Sequence, residues 1–379
     1  MLPATKTHRF SLADVLPSCL DSVLGRANSL GLPRVAKAVV LLVDGLGVHP
    51  LAARAGHART LAPMVNREST IGAGFPTTTA AALATLTTGT APGEHGLVGY
   101  SVLDSANDRI VNQLNGWDDR IDPLTWQRMP TIFERAADDA IPSFVVATER
   151  YRHSGFTQAV LRGAEYRGAV SIADRLDAAR DILDANDQAV VYVYVPELDM
   201  AAHAEGTESA LWTRQLEALD DAVRTFAASL RRAEGMLLTA DHGVLDVPHH
   251  SHVLFDETPA LVDGIRFVAG EPRCIQLHFE PDASAAHRAA LVDHWRQAEG
   301  SRSWVVERDE AIAAGWFGPT VADIVVPRIG DVIVAARKRI AYYDTRSPDQ
   351  AGRRMVGQHG SLSPDETAIP LLRFGAFAG

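Results

Sequence analysis

Four short runs of apolar, largely β-branched residues stand out along the chain: Val39-Val40-Leu41-Leu42-Val43, Ser143-Phe144-Val145-Val146-Ala147, Ala189 through Val195, and Met236-Leu237-Leu238-Thr239. Hydrophobicity within each run is continuous rather than alternating, which suits strands buried on both faces, as in parallel sheets covered by helices. Between the third and fourth runs, Leu216, Leu219, Val223, Phe226 and Leu230 recur at steps of three and four. That spacing puts them on one face of a helix, long enough to serve as a right-handed crossover between the two strands. The predicted core is therefore α/β, a doubly wound and mostly parallel sheet with helices on both faces.

The pattern changes after about His252. Arg273 to Phe279 reads as a strand and Ala283 to Ala298 as an amphipathic helix using Ala290, Leu291, His294 and Trp295. Ser303 to Glu307 and Asp331 to Ala335 read as further strands. The expected organisation is a core of residues 1–255 and 346–379, interrupted by a smaller inserted α+β subdomain at 256–345. A polar, arginine-rich loop from Asp344 to Arg354 leads to an apolar end, Ile369 to Phe374, that can return to the core sheet.

Composition narrows the function. With 46% apolar and 22% charged residues, disordered, collagen-like and coiled-coil readings fall away. The balance of 36 basic against 47 acidic residues, −11 with histidines neutral, excludes a nucleic-acid coat, which relies on clustered Lys and Arg. Any phosphate chemistry must then take its positive field from something other than surface charge. Cys19 and Cys274 lie far apart without a CxxC partner, so a disulfide scaffold or thiolate zinc cluster is excluded and a reducing compartment fits. From Met1 to Leu20, Lys6, His8, Arg9, Asp14 and Pro17 break up any signal-peptide core. The longest strongly apolar stretch, Ala38 to Val43, is far short of the ~20 residues that span a bilayer. The expectation is a soluble, cytoplasmic protein with no membrane partner.

Three of the core strands end alike, in an apolar run followed by an acidic residue among small or polar ones. The first ends in Asp44-Gly45-Leu46-Gly47, the third in Pro196-Glu197-Leu198-Asp199 with His203 beyond, and the fourth in Ala240-Asp241-His242-Gly243. Ligands of open α/β sheets bind at the carboxyl ends of strands, so groups distant in sequence can converge there. Asp199 and His203 stand at i, i+4 and share one face of a helical turn. Asp241 and His242 can reach one point only if the backbone turns sharply, which Gly243 allows. His359, in Gly357-Gln358-His359-Gly360, precedes the returning terminal strand. Each Asp alone is as well read as a turn former or helix cap. Together, the aspartates and histidines form the oxygen and nitrogen donor set that Zn²⁺ or Mn²⁺ takes in hydrolytic sites. Carboxylates crowded without cations repel, and some stay protonated. Two divalent ions relieve that repulsion and also attract phosphate.

The segment Gly74-Phe75-Pro76-Thr77-Thr78-Thr79 precedes an alanine-rich stretch ending at Gly89. The alanines favour a helix, Thr79 suits its cap or first turn, and Gly89 is a natural stop. A helix amino end receives anions well. A hydroxyl there, beside a divalent ion, can lose its proton and act as a nucleophile; it can equally do no more than cap its helix.

Asp44, the FPTTT segment with its following Thr-Gly, His95-Gly96, Asp199-x-x-x-His203, Asp241-His242-Gly243 and His359-Gly360 occur in one order. In that order the chain resembles the alkaline phosphatase superfamily, most of all its nucleotide pyrophosphatase/phosphodiesterase (type I phosphodiesterase) branch, from about residue 38 to 375. The resemblance is weakest in the inserted subdomain. It implies an alkaline phosphatase-like fold and two neighbouring zinc sites, one held by Asp199, His203 and His359 and the other by Asp44, Asp241, His242 and the nucleophile. Thr79 takes that last role because it stands before Gly89 as the family's threonine stands before its Thr-Gly. The implied mechanism is in-line attack by Thr79 on phosphorus and hydrolysis of the resulting phospho-threonine, with the ions clamping the attacking and leaving oxygens. Two departures stand out: Ala80-Ala81-Ala82 follow Thr79 where the branch has an aromatic residue, proline and asparagine, and Tyr100 occupies the place of its phosphate-contacting asparagine. A tyrosine hydroxyl can also donate a hydrogen bond, so Tyr100 is a candidate substrate contact.

Other residues take plainer readings. His249, His250 and His252 read as a solvated loop, His95 as fixing a turn with Gly96, and Trp212, Trp295 and Trp316 as packing or pocket walls. Arg150, Tyr151 and Arg152 follow the second strand on its carboxyl side, where they can touch a substrate. The expected function is a two-metal phosphoryl hydrolase that cleaves a phosphodiester or pyrophosphate bond in a small phosphate ester, a nucleotide being one candidate. The cofactors are two divalent ions, Zn²⁺ or alternatively Mn²⁺. A phosphomonoesterase, phosphonate hydrolase or metal-dependent phosphomutase on the same fold is the alternative within enzymes. A non-catalytic metal-binding homologue is the remote one, since no ligand and no hydroxyl is missing.

Overall fold

The computed structural model describes residues 2–3 and 8–378; Lys6, one of the charges noted in the amino-terminal segment, lies outside the described residues. All four apolar runs are strands. The central sheet contains β1 (Lys37–Val43), β2 (Thr70–Gly72), β3 (Ser143–Ala147), β4 (Glu165–Gly168), β5 (Ala189–Val195) and β6 (Glu234–Thr239). Four further strands belong to a separate sheet: β7 (Ile265–Glu271), β8 (Cys274–Phe279), β9 (Ser303–Glu307) and β10 (Val332–Ala336). The last strand, β11 (Ala368–Gly375), returns to the centre. The seven-stranded order is β2–β11–β6–β1–β5–β3–β4. β1 runs parallel to both β5 and β6, and β3 parallel to β5 and β4. Only β11 runs against its neighbours, β6 and β2. β1, β5 and β6 are buried along nearly their whole length, which accounts for their unbroken hydrophobicity.

Register decides where the polar residues fall. Val43 pairs with Val195, and Leu42 with Thr239, so three strands end level and release Asp44, Pro196 and Ala240 at one edge. Because β11 is antiparallel, its start rather than its end lies there, with Leu371 opposite Thr239. The segment leading into β11 carries His359 to the same edge. β2 leaves the sheet there too, with Gly72 opposite Ala368, and delivers the segment that opens helix α1 (Thr79–Thr88).

Helix α2 (Ile172–Ala185) precedes β5, and helices α3 (Glu197–Glu205) and α4 (Ala210–Ser229) connect β5 to β6. The Ser209 side chain caps α4 by accepting the Trp212 N–H, and Trp212, Leu216, Leu219, Val223 and Phe226 form its buried face. One detail differs from the sequence expectation: Leu230 lies just past the helix in extended backbone. The two parallel strands that α4 helps to join flank β1 on either side.

Strands β7 to β10 form an antiparallel sheet in the order β7–β8–β10–β9, and helix α5 (Ala285–Glu299) lies on it. Period-two alternation serves both faces. Ile275, Leu277, Val332 and Val334 pack with Leu291, Val292 and Trp295 of α5. Cys274, Ile333 and Ala335 turn the other way, toward Phe75, Val98, Trp316 and Phe317, beside the threonine segment. No described helix is long and apolar enough to cross a membrane.

A buried ion pair ties this sheet to the carboxyl edge of the core sheet. Arg273, fully buried, gives a two-pronged bond to fully buried Glu366, Nε to Oε1 at 2.7 Å and Nη2 to Oε2 at 2.8 Å. Nη1 also donates to the Lys338 and Ile340 carbonyls, both at 2.8 Å. Glu366 in turn accepts the Ser361 N–H at 2.9 Å, and its own carbonyl accepts the Gly243 N–H at 2.8 Å. Arg273→Ala strands the Glu366 charge in the interior and is expected to cost about 3–5 kcal/mol in urea unfolding; an unchanged midpoint would show the pair to be dispensable.

Glu271, at the end of β7, is a buried carboxyl with only Oε2 engaged, by the Tyr100 N–H at 2.8 Å. Burial pushes its pKa up to about 8, with the Tyr100 N–H opposing and the Glu366 charge adding. Its raised value means that the unfolded chain releases this proton from about pH 4.5 while the fold retains it to about 8. Stability therefore falls as pH rises through that window. Glu271→Gln is expected to gain steadily on wild type between pH 5 and 8, measured by urea unfolding; a constant difference would show Glu271 ionised in the fold.

Candidate metal centre

The strand-end residues converge. One ligand atom from each of Asp199, His203 and His359 lies within 4.8 Å of the other two, and Asp44, Asp241 and His242 form a second such group. The groups adjoin, since the His242 and His359 rings stack with centroids 3.7 Å apart and planes 17° from parallel. Asp44 follows β1, Asp241 and His242 follow β6, and α3 shows Asp199 and His203 on one face as their spacing predicts.

Two glycines are demanded by crowding. Gly45 has φ 72° and passes so close to Asp199 that a Cβ would lie 3.0 Å from its Oδ1. At Gly243, where the sequence allows a sharp turn, contact is what requires the glycine: its φ is not positive, and a Cβ there would fall 2.0 Å from the Asp365 carbonyl.

Each histidine is oriented by its Nδ1 on a backbone carbonyl: His203 on Gly357 at 2.7 Å, His359 on Thr77 at 2.8 Å, and His242 on Gly243 at 3.3 Å. An Nδ1–H donated to a carbonyl leaves the Nε2 lone pair for a cation. Nε2 of His203 faces Asp199 Oδ2 at 3.2 Å, and Nε2 of His242 lies 3.3 Å from Asp241 Oδ2 and 3.5 Å from Asp44 Oδ1. Thr77 had no assigned role in the sequence, yet it sets this arrangement. Besides holding His359, its hydroxyl donates to the Ser361 carbonyl at 2.7 Å and accepts the Gly360 N–H at 3.0 Å. Tyr194 was also missed; it is the last residue but one of β5 and donates its hydroxyl to Asp44 Oδ2. A tyrosine inside an apolar run gives no local sign of such a contact.

The carboxylates are strained electrostatically. Burial and then the charges of Asp241 and Asp199 push the Asp44 pKa far above its ordinary value. Burial likewise raises Asp241, with His242 opposing. Asp199 moves the other way: burial works to raise it, but His203, then His359 and His242, pull it below the usual carboxylate range. His203, despite burial, is lifted to about 9 by Asp199, whereas burial and His242 depress His359. Each aspartate also buries one oxygen with no hydrogen-bond partner: Asp44 Oδ1, Asp199 Oδ1 and Asp241 Oδ2. Buried unpaired carboxylate oxygens beside oriented imidazole nitrogens are the donors a divalent cation takes, so the residues fit two such ions.

Thr79 is the first residue of α1; Thr78 precedes it in extended backbone, and Gly89 ends the helix with φ 69°. The Thr79 Oγ1 lies 3.2 Å from His242 Nε2. It also lines a cavity of about 660 Å³, together with Asp44, Asp199, Trp117, Arg150 and Tyr151. Tyr100 is not among the residues lining that cavity. Its N–H is held by Glu271, the nearby Val98 carbonyl takes the Gln276 side chain, and so this stretch is drawn toward the inserted sheet. Arg152 is spent on Glu149 at 2.6 Å. His95 behaves as read: buried, it accepts the Leu97 N–H at Nδ1 and meets the Thr85 hydroxyl, and Gly96 follows with φ 88°. His249 and His250 are exposed, but His252 is half-buried against His249 and Tyr343 rather than solvated. Trp212, Trp295 and Trp316 are all buried as packing.

A mostly parallel sheet with helices on it, carrying paired Asp/His groups at its carboxyl edge, defines an alkaline phosphatase-like fold, of a superfamily that is metal-dependent. Within it, the chain belongs to the type I phosphodiesterase / nucleotide pyrophosphatase family, whose profile matches residues 38–362. Among solved structures, murine ectonucleotide pyrophosphatase/phosphodiesterase 5 is similar, at 16% identity and TM-score 0.65, over 88% of this chain and 87% of that one. An inactive variant of the murine protein, in complex with AMP, matches at 15% identity and TM-score 0.65, over 90% and 88%. Phosphonoacetate hydrolase from Sinorhizobium meliloti 1021, in complex with phosphonoacetate, matches at 16% identity and TM-score 0.68, over 90% and 91%. No curated protein sequence matches significantly. The family and these neighbours are hydrolases.

Because Asp44 resists ionisation without a cation, Asp44→Asn is expected to have opposite effects on the bare and metal-loaded protein. In chelator it raises stability by about 1–2 kcal/mol by removing the cost of holding this carboxyl un-ionised in the fold when the unfolded chain ionises it. With Zn²⁺ added, the metal-induced rise in melting temperature shrinks. Melting curves with and without chelator test this; a loss of stability in chelator would contradict the repulsion.

Proposed function

We propose that this protein is a two-metal phosphoryl hydrolase that cleaves a phosphodiester or pyrophosphate bond, with Thr79 as nucleophile. The observation that carries the reading is the position of the Thr79 hydroxyl. It opens a helix, lies 3.2 Å from His242 Nε2, borders both Asp/His groups and faces the cavity. The bound ions, Zn²⁺ or alternatively Mn²⁺, supply a positive field that lowers the hydroxyl pKa and offsets phosphoryl charge. Asp44, Asp241 and His242 hold one ion, and Asp199, His203 and His359 the other. The free N–H groups of the first turn of α1 face the phosphoryl oxygens. Thr79 Oγ attacks phosphorus in line, its proton and the bond to the leaving oxygen are given up as one substituent departs as the alcohol or phosphate, and water then cleaves the threonine–phosphorus bond, releasing the phosphate monoester that carries the other substituent and restoring the Thr79 hydroxyl.

The cavity favours a diester over the small substrate bound by the phosphonoacetate hydrolase. About 660 Å³ walled by Leu83, Leu114, Trp117, Phe156 and Tyr166 leaves room for an aromatic or nucleoside substituent. The AMP complex of the murine relative is consistent with a nucleotide substrate. Purified protein is expected to release p-nitrophenol from bis(p-nitrophenyl) phosphate faster than from p-nitrophenyl phosphate, and chelator is expected to abolish both. Thr79→Ala should lose about a thousandfold or more in kcat while still binding Zn²⁺ by titration. Full turnover by that variant would remove the nucleophile assignment.

A further inference from the structure

The cavity over Thr79 holds one cation that neither Asp/His group uses. Arg150 stands in its wall, in the short turn Glu149–Tyr151 that follows β3. Its guanidinium lies over the Tyr151 ring, 4.7 Å from the centroid, donates from Nη2 to Tyr151 Oη at 2.6 Å, and touches Met200 Sδ at 3.6 Å. No carboxylate pairs with it among the described residues. The arginines around it are all engaged: Arg152 with Glu149, Arg162 with Glu134, and Arg175 with Glu197. Arg150 therefore brings to the cavity wall a positive charge that no acid among the described residues neutralises. Most of its five donors remain available to an outside acceptor.

Position says which part of a substrate it reaches. The Tyr194 hydroxyl is on Asp44, the Tyr194 ring packs edge-on against Tyr151 with centroids 6.3 Å apart, and the Tyr151 ring carries Arg150. Two aromatic rings therefore separate the guanidinium from the metal ligand. Arg150 and its neighbour Met200 are both exposed, which places the cation at the mouth. The rest of the wall offers no other permanently cationic side chain. A phosphoryl group seated on Thr79 lies at the inner end; what faces Arg150 is the outer end of the ester substituent.

We propose that Arg150 is a specificity residue that binds a second anionic group, a carboxylate or a terminal phosphate, carried by that substituent. The apolar walls take the body of the substituent and the guanidinium takes its charged end through a forked pair of hydrogen bonds. This assignment rests on the phosphodiesterase reading of the site, and its test separates the two. Three p-nitrophenyl aryl phosphates serve as probes, with the aryl ring bearing a 4-carboxylate, a 4-phosphate or a neutral 4-carboxamide. Wild type is expected to favour an anionic probe over the carboxamide by tenfold or more in kcat/KM, mainly through KM. In Arg150→Ala that ratio is expected to fall tenfold or more, with Arg150→Lys between. Whichever anionic probe shows the larger effect identifies the group. A ratio unchanged by Arg150→Ala overturns the proposal while leaving the hydrolase reading standing. If no diester is turned over, calorimetric binding of the same probes to the Zn²⁺-loaded Thr79→Ala protein, with and without Arg150→Ala, decides the point: equal affinities overturn it.

Discussion

Three carboxylates buried at one end of a sheet set the terms for everything around them. Asp44, Asp199 and Asp241 are each nine-tenths or more buried, and Asp44 and Asp241 resist ionisation where they stand. A fold does not hold such a cluster without compensation, because a buried charge lacking a partner is among the most expensive features a protein can contain. Here the compensation is only partial within the chain itself. His203 answers Asp199, and Tyr194 answers one oxygen of Asp44, but one oxygen on each aspartate has nothing. The remaining demand is for positive charge, which divalent ions would meet. Under the proposed function the same ions would give an acidic chain the field it needs to draw in phosphate.

Precision at the site comes from parts that do no chemistry. The three imidazoles are aimed by backbone carbonyls, one of them on Thr77, so the threonine segment and the His359 loop are tied together. Glu366 extends that coupling. It is bonded to Arg273 from the inserted sheet, to the Ser361 N–H beside His359, and through its carbonyl to Gly243 beside His242. The smaller sheet thus stands behind both histidine-bearing turns. Its far face carries its own apolar cluster around Trp295.

The cavity wall is largely separate from the Asp/His groups. The wall beyond Thr79 is largely aromatic and apolar and is supplied by segments outside the metal groups, chiefly the turn after β3 and the stretch around Trp117. These are connecting segments, free to vary without disturbing the register of the strands. Tyr100, singled out by alignment with a motif, has been drawn toward the inserted sheet, while Arg150 stands at the mouth.

Much was legible along the chain because it is local. Continuous apolar runs marked β1, β3, β5 and β6, a three-and-four spacing marked α4, and Asp and His residues near strand ends marked the candidate ligands of both groups. Such signals depend only on neighbours a few positions away, and chemistry-bearing residues at strand ends have few other reasons to recur in that order. What could not be read there was set by contacts between distant segments: which oxygen of each aspartate stays unpaired, that Gly243 admits the Asp365 carbonyl, that Thr77 and Tyr194 hold His359 and Asp44, and that Arg273 meets Glu366. Partner choice at those positions is fixed by register and packing across the sheet, and residue type alone carries no record of it.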